Sequence, residues 1–272
     1  MTNARNARNA REKAAAMRAE AARREARRRT FIVTVSVIAA LAVLIVAGVI
    51  VQMARQESLE ASGSTPPRNL TNGTFVQGKA DAPVTITIYA DFICPGCKMF
   101  EESTKAQLDA WTAAGVAKVE HRTIALLDQY STDDYSSRAT NAAAAVIDLK
   151  PDSYLAFQQA LFANQPAEGG PGLPDSTLVE LATAAGAPEA KVRDAIEKRS
   201  FRGWVASAAE EASKSGIHQT PTVLVNGTKL EQNDPASLTT AVEAAAKAAG
   251  TTLPTVSPTP SPTASPSATK DE

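Results

Sequence analysis

The sequence has few of the residue types that build cross-linked or metal-bound folds. Among its 272 residues there are only two cysteines and two histidines. Two cysteines can form at most one intrachain disulfide, so the fold must be stabilised by an ordinary apolar core. A closed tetrahedral zinc site needs four ligands, and His121 and His218 are distant from the cysteines in sequence. Both a disulfide framework and a structural zinc site are therefore disfavoured.

Net charge is also nearly absent, at −1 for the whole chain. Its distribution is uneven, because residues 1–30 contain ten Arg and Lys against three Glu, which leaves the remainder acidic. An acidic body disfavours a nucleic-acid partner, and we expect none. The arm 1–30 is rich in Ala and Arg and has too few large apolar residues to form a core. A nucleic-acid-binding arm is the alternative for this segment alone.

The arm is followed by an uncharged apolar run, Phe31–Met53. As a helix rising about 1.5 Å per residue, it would span the hydrocarbon core of a bilayer, which is roughly 30 Å thick. The alternative is a cleaved signal peptide, but the long basic arm and the length of the run favour an uncleaved signal anchor. The positive flank predicts that residues 1–30 are cytoplasmic and that the rest of the chain is outside.

The remainder of the chain divides into three segments by composition. Residues 54–70 mix charged residues with Ser, Gly and a Pro-Pro pair and are predicted to be a linker. Residues 71–250 have the hydrophobic pattern of a globular domain. Residues 251–272 are mostly Pro, Ser, Thr and Ala, a composition that cannot form a core.

Both cysteines lie in one short stretch, Cys94-Pro95-Gly96-Cys97, between a strand pattern at Val84–Ala90 and a helix pattern. The spacing keeps the two sulfurs within bonding reach, and a helix N-terminus favours a thiolate at the first. Pro95 fits the first helical position, where its missing N–H costs nothing. Asp91, three residues before the pair, is either a proton acceptor or tuner of the dithiol or a polar residue that closes the strand.

The rest of the domain alternates between strand and helix patterns. We predict a first strand at 74–77, the helix from Pro95 to 114, a strand at 116–126 and a helical section over about 133–200. A further helix at 200–215 precedes a strand that is closed by Asn226-Gly227, a strong hairpin signal. A last helix is predicted at 235–249. Asp133 and Asp134 are the expected caps at the start of the helical section.

This order of elements resembles the DsbA-like family of thiol–disulfide oxidoreductases, particularly its membrane-anchored bacterial members. The resemblance rests on APVTITIYADFICPGC (82–97) and GIHQTPTVLVNG (216–227). It implies an α/β, thioredoxin-like fold with an inserted helical section, here preceded by a single transmembrane helix. It also implies that Cys94 is the attacking sulfur, Cys97 the resolving one and Pro221 a cis-proline facing them. Thr220 would supply backbone contacts to a substrate peptide.

The implied function is disulfide exchange with exported proteins outside the cytoplasm, with the protein acting as an oxidant. The expected partners are unfolded or thiol-containing exported proteins and a membrane protein that recycles the dithiol; neither a cofactor nor a metal is expected. The best-known DsbA pattern has a His between the cysteines, whereas Gly96 offers no side-chain donor, so we expect a less oxidising pair. The alternatives are a reductase or isomerase, a copper-binding metallochaperone, and a redox-inert binding module.

Overall fold

A computed structural model describes residues 45–46 and 65–254 of the chain. Ile45 and Val46 are helical. Within the described ranges, no helix is both long enough and apolar enough to cross a bilayer. The predicted arm lies outside those ranges, as do nearly all of the predicted span Phe31–Met53 and most of the predicted tail.

The centre of residues 65–254 is a mixed sheet. Its strands are β1 (Phe75–Gln77), β2 (Val84–Ala90), β3 (Ala117–Thr123), β4 (Thr222–Val225) and β5 (Thr228–Lys229). Their order in the sheet is β1-β3-β2-β4-β5. The central strand β2 is parallel to β3 and antiparallel to β4, and β1 and β5 are the antiparallel edges. A strand, a helix and a parallel strand therefore form the first half of the fold, and a hairpin forms the second.

The sequence of β2, VTITIYA, explains its central place in the sheet. Val84, Ile86 and Ile88 are buried, and the residues between them are half-buried, as expected for β-branched side chains between two covered faces. The hairpin after β4 also follows the sequence. Asn226 and Gly227 both have positive φ (46° and 81°), which the mirror-image turn of a two-residue hairpin requires.

The helices flank this sheet and build the predicted inserted section. The first begins at the dithiol, four lie in the inserted section after β3, one more precedes β4, and the last follows β5. They are α1 (Pro95–Ala113), α2 (Tyr135–Leu149), α3 (Tyr154–Ala163), α4 (Asp175–Ala184), α5 (Glu189–Glu197), α6 (Arg202–Lys214) and α7 (Pro235–Ala248).

Two large apolar cores lie within residues 65–254, besides a small cluster formed by Ile124, Ala212 and Ile217. One joins the sheet to α1 and α7, where Trp111 and Leu238 are almost fully buried. The other fills the inserted section, with Tyr154 and Phe157 at its centre, and it also contains Cys94 and Cys97. The dithiol therefore lies where the sheet half and the helical half of the fold meet.

The structure corrects two of the predicted boundaries. β3 ends at Thr123 rather than near 126, because the backbone N–H groups of Leu126 and Leu127 turn away and donate to the Asp91 carboxylate (both 2.9 Å). The caps predicted for α2 are also wrong. Asp134 adopts a left-handed conformation and makes no side-chain cap, and the Ser131 hydroxyl oxygen accepts the Tyr135 N–H instead (2.8 Å).

Candidate active site

The two cysteines occupy the N-terminus of α1, as the sequence predicted. Cys94 is the N-cap with extended backbone (φ −71°, ψ 115°), and Pro95 is the first helical residue. The Cys94 carbonyl accepts hydrogen bonds from the N–H groups of Cys97 (3.1 Å) and Lys98 (3.3 Å). Cys94 is 6% exposed and Cys97 is 2% exposed, and both are free thiols. A substrate can therefore approach Cys94 more easily than Cys97.

The segment before β4 supplies the facing half of the site. Because β4 is antiparallel to β2, with Thr222 opposite Tyr89, the residues preceding β4 lie beside the end of β2, where the dithiol turn begins. The Thr220–Pro221 peptide bond is cis, as the resemblance implied. The Cys94 Sγ lies 3.3 Å from the Thr220 carbonyl oxygen. The structure thus brings all four predicted site residues together.

Gly96 lies directly against Pro221. A Cβ atom at Gly96 would be 3.2 Å from the Pro221 Cδ and 3.8 Å from the Cys94 Sγ. A side chain at this position would have to push the proline loop by a few tenths of an ångström. The absence of a side chain therefore does two things: it removes a donor near the dithiol and it lets the proline loop pack closely on it.

The two sulfurs have opposite electrostatic environments. Hydrogen bonding from the Cys97 thiol, helped by the Gly96 and Cys97 backbone N–H groups, lowers the pKa of Cys94 to about 6 despite its burial. Burial, together with the adjacent Cys94, raises the pKa of Cys97 far above its ordinary range. At neutral pH the reduced pair therefore holds its single negative charge on Cys94, the sulfur that a substrate can reach.

Thr220 contributes a side chain to this environment as well as its backbone. Its hydroxyl is buried and makes no hydrogen bond within residues 65–254. The Thr220 side chain nevertheless helps to lower the pKa of Cys94 and opposes, to a small extent, the rise in the pKa of Cys97. A hydroxyl that is unpartnered beside two thiols is available to donate to a thiolate. Sequence reasoning assigned Thr220 only backbone contacts and missed this donor.

Asp91 anchors the turn that carries the dithiol. One carboxylate oxygen accepts from the Ile93 N–H (3.1 Å) and the Ser136 hydroxyl (2.6 Å). The other accepts from the backbone N–H groups of Leu126 and Leu127. Burial raises the pKa of Asp91 to about 6, and these four donors oppose that shift. With both oxygens occupied, Asp91 holds the turn, the end of β3 and α2 together.

A small polar cluster lies behind Cys97. Cys97, Glu101 and His121 line a cavity of about 10 Å³, roughly enough for one water molecule. Burial raises the pKa of Glu101 and lowers that of His121 to about 4, so the histidine is neutral. Gln158 donates to Glu101 (3.2 Å) and lies 3.4 Å from the His121 Nδ1.

The thiolate should be visible in a direct titration. We expect the absorbance of the reduced protein at 240 nm to titrate with a midpoint near 6, because Cys94 is charged above that pH. In Thr220→Val, which keeps the shape of the side chain and removes the hydroxyl, the midpoint should rise. The Cys94→Ser variant is the control for the signal, and a wild-type midpoint at 8 or above would contradict the assignment.

A dithiol at the N-terminus of a helix, facing a cis-proline on a mixed sheet, defines a thiol–disulfide oxidoreductase of the thioredoxin fold. The comparison with known families agrees, since residues 70–244 match the family model Thioredoxin_4, described as Thioredoxin. The chain belongs to the thioredoxin family. Solved structures that it resembles at 29–30% identity are disulfide oxidoreductases, and one of its sequence relatives is a disulfide bond formation protein, so it is a protein disulfide oxidoreductase.

Three of these relatives show the extent of the similarity. The Disulfide bond formation protein D of Bacillus subtilis is 30% identical over 158 residues, which cover 57% of this chain and 68% of that protein. The reduced disulfide bond oxidoreductase DsbG of Mycobacterium tuberculosis is 29% identical with a TM-score of 0.57, covering 67% of this chain and 97% of that one. The oxidised DsbA of the same organism is 30% identical with a TM-score of 0.56, covering 64% and 92% respectively.

Proposed function

We propose that the protein is an extracytoplasmic oxidant that introduces disulfides into exported proteins through Cys94 and Cys97. The observation that carries the proposal is the lowered pKa of Cys94 beside a buried Cys97 whose pKa is raised. A stabilised thiolate favours the reduced form of the pair, so the oxidised form gives up its disulfide more readily. The name of the Bacillus subtilis relative refers to disulfide bond formation, which supports oxidation of substrate thiols rather than reduction of substrate disulfides.

The exchange proceeds through two thiolate attacks. A substrate thiolate attacks the Cys94 Sγ of the oxidised pair, and the bond to Cys97 breaks, so that Cys97 leaves as a thiolate and takes up a proton. A second substrate thiolate then attacks the substrate sulfur of the mixed disulfide and releases Cys94 as a thiolate. The substrate gains one disulfide and the protein gains two electrons. Thr220 and Pro221 would hold the substrate backbone beside Cys94.

The potential of the pair should be lower than that of a DsbA with a histidine between its cysteines. Gly96 supplies only a backbone N–H, and Pro95 supplies none. The Thr220 side chain supplies part of the lowering of the Cys94 pKa that a donor side chain between the cysteines would provide. We therefore place the protein among oxidants of moderate strength.

The proposed location rests on the amino-acid sequence, because nearly all of residues 1–64 lie outside the described ranges. The proposed organisation is a cytoplasmic arm (1–30), a signal anchor (31–53), a linker (54–70), the oxidoreductase domain (71–250) and a polar tail (251–272). Because disulfides persist outside the cytoplasm, the anchor would place the dithiol in the compartment where its substrates fold. Continued turnover requires a membrane redox partner that accepts electrons from the reduced pair.

Two assays separate an oxidant from a reductase. We expect the purified full-length protein in detergent, once oxidised, to accelerate the refolding of a reduced, disulfide-containing protein by at least about tenfold. In the presence of a small dithiol it should reduce insulin only weakly, since a low Cys94 pKa makes the reduced pair a poor reductant. Fast insulin reduction with no refolding activity would overturn the oxidant assignment and favour the reductase alternative.

A further inference from the structure

One side chain from the inserted helical section reaches the dithiol turn itself. Gln165 follows the end of α3, and its carboxamide nitrogen donates to the carbonyl oxygens of Phe92 (3.0 Å) and Cys94 (2.9 Å). Only the nitrogen of a carboxamide can donate, and it has two hydrogens, so two carbonyl acceptors fix its orientation and use both donors. The bonds join positions 73 and 71 residues apart in the chain.

These two bonds differ from the other contacts between the helical section and the turn. The Ser136 hydroxyl reaches Asp91, and the Phe162 ring lies 5.3 Å from the ring of Phe92. Both contacts are made to Asp91 and Phe92, the first two residues of the dithiol turn. Gln165 is the residue whose donors extend to Cys94, where the carbonyl already accepts the first N–H groups of α1. It therefore acts on the nucleophile's own peptide group.

The chemistry of that position suggests a role in reactivity. A carbonyl oxygen carries partial negative charge, which disfavours a thiolate on the same residue. A third donor on the Cys94 carbonyl offsets this charge and brings the positive end of the carboxamide dipole towards Cys94. It also fixes the N-cap conformation (φ −71°, ψ 115°) that directs the helix N-terminus towards the sulfur. Both effects stabilise the reduced, thiolate form of the pair.

We propose that Gln165 is a positioning residue for disulfide exchange, which fixes the Cys94 carbonyl and makes the Cys94–Cys97 disulfide a stronger oxidant. This inference rests on the proposed disulfide exchange at Cys94 and Cys97 and adds a tuning group supplied by the helical section. Gly96 has no side chain that could stabilise the Cys94 thiolate. The Gln165 carboxamide thus supplies part of the stabilisation that a residue between the cysteines provides in a DsbA with a histidine there.

The surrounding segment does not depend on Gln165 for its placement. Residues 166–174 are held by Arg138, whose guanidinium donates to the carbonyls of Pro171 and Leu173 (both 2.6 Å). The backbone N–H of Gly169 donates to the Tyr130 carbonyl (2.7 Å). A substitution at Gln165 therefore removes its two bonds while the segment retains its other attachments.

The chain offers a matched control one residue away. Asn164 is exposed, and among the described residues its carboxamide donates only to the Ala160 carbonyl in the preceding helix (2.9 Å). Asn164→Ala removes a carboxamide from the same segment without touching the dithiol turn. Gln165→Met removes both donors and keeps a linear side chain of similar length.

The test is the equilibrium of the full-length protein with glutathione, in which two glutathione thiols reduce the protein disulfide and yield one glutathione disulfide. Losing the two bonds should shift this equilibrium by about threefold to tenfold towards the oxidised protein, the size expected for a net hydrogen bond. The Cys94 titration midpoint should rise in parallel. Asn164→Ala should change neither quantity, and thermal unfolding of each variant monitors the fold.

The outcomes separate this inference from the function on which it rests. If the wild type does not exchange with glutathione, the proposed function fails. Suppose instead that the wild type exchanges with glutathione and that Gln165→Met has the same redox potential and the same Cys94 titration midpoint as the wild type. Gln165 is then merely structural and the inference is overturned, even if the variant has a lower melting temperature. A shift of equal size in Asn164→Ala would also overturn it.

Discussion

Cys94→Ser should abolish disulfide exchange, lowering the rate with glutathione disulfide by at least about 1,000-fold, the scale of losing a nucleophile. Cys94 is the more exposed sulfur and the one whose pKa is lowered, so no second thiolate can take its place. Cys97, with a raised pKa and 2% exposure, remains a buried, protonated thiol. The rate is measured on the full-length protein in detergent, by release of glutathione.

Cys97→Ser should give the opposite phenotype and serves as the matched control. Cys94 can still form a mixed disulfide, but the resolving sulfur is missing, so the adduct should accumulate. Mass spectrometry after incubation with glutathione disulfide should find one glutathione per chain. Adduct formation in Cys94→Ser and none in Cys97→Ser would reverse the assigned roles. Absence of exchange in the wild type as well would support a redox-inert module instead.

Asp91→Ala should lower the free energy of unfolding by about 3–5 kcal/mol, comparable to breaking a buried charge network. The substitution leaves three backbone N–H groups and the Ser136 hydroxyl without their acceptor in a fully buried site. Asp91→Asn retains one acceptor oxygen and should recover part of the loss. Urea denaturation can be followed by the fluorescence of the buried Trp111.

Asp81→Ala is the control for the loss of a carboxylate, because Asp81 is exposed in the turn before β2. A surface change of this kind should stay within about 0.5 kcal/mol. If Asp91→Ala is no more destabilising than Asp81→Ala, the carboxylate does not anchor the turn. Asp91 would then be a polar residue that merely closes β2, the simpler of the two interpretations of its position in sequence.

The predictable parts of the fold were those determined by neighbouring residues. Val84–Ala90 formed the strand that its β-branched alternation indicated, and Pro95 began a helix that ends two residues before Gly115 (φ 72°). The Asn226-Gly227 hairpin formed with the required positive φ angles. In each case the local backbone preference and the hydrophobic pattern favoured the same structure that the tertiary contacts stabilise.

The errors arose where a second residue, near or distant in the chain, competed for a local group. Asp134 is a suitable N-cap by type, but Ser131 takes the Tyr135 N–H and Asp134 is left in a left-handed turn. The strand after Val116 was predicted too long because nothing nearby in sequence indicates that Asp91 recruits the N–H groups of Leu126 and Leu127. The residue types in a segment do not show which donor and which acceptor will pair in the folded protein.

The sequence by itself determined the dithiol, its place between a strand and a helix, and its pairing with Thr220-Pro221. The first two depend on residue spacing and on the local preferences of proline, and the pairing with Thr220-Pro221 is what the resemblance of the two motifs to the DsbA-like family implied. Only the tertiary structure decided how reactive the pair is. The largest influence that lowers the pKa of Cys94 is the Cys97 thiol, three residues away, but the Thr220 side chain and the Gln165 carboxamide reach the pair from positions 126 and 71 residues away in the chain. Electrostatic tuning depends on distance in space, which the order of residues does not reveal.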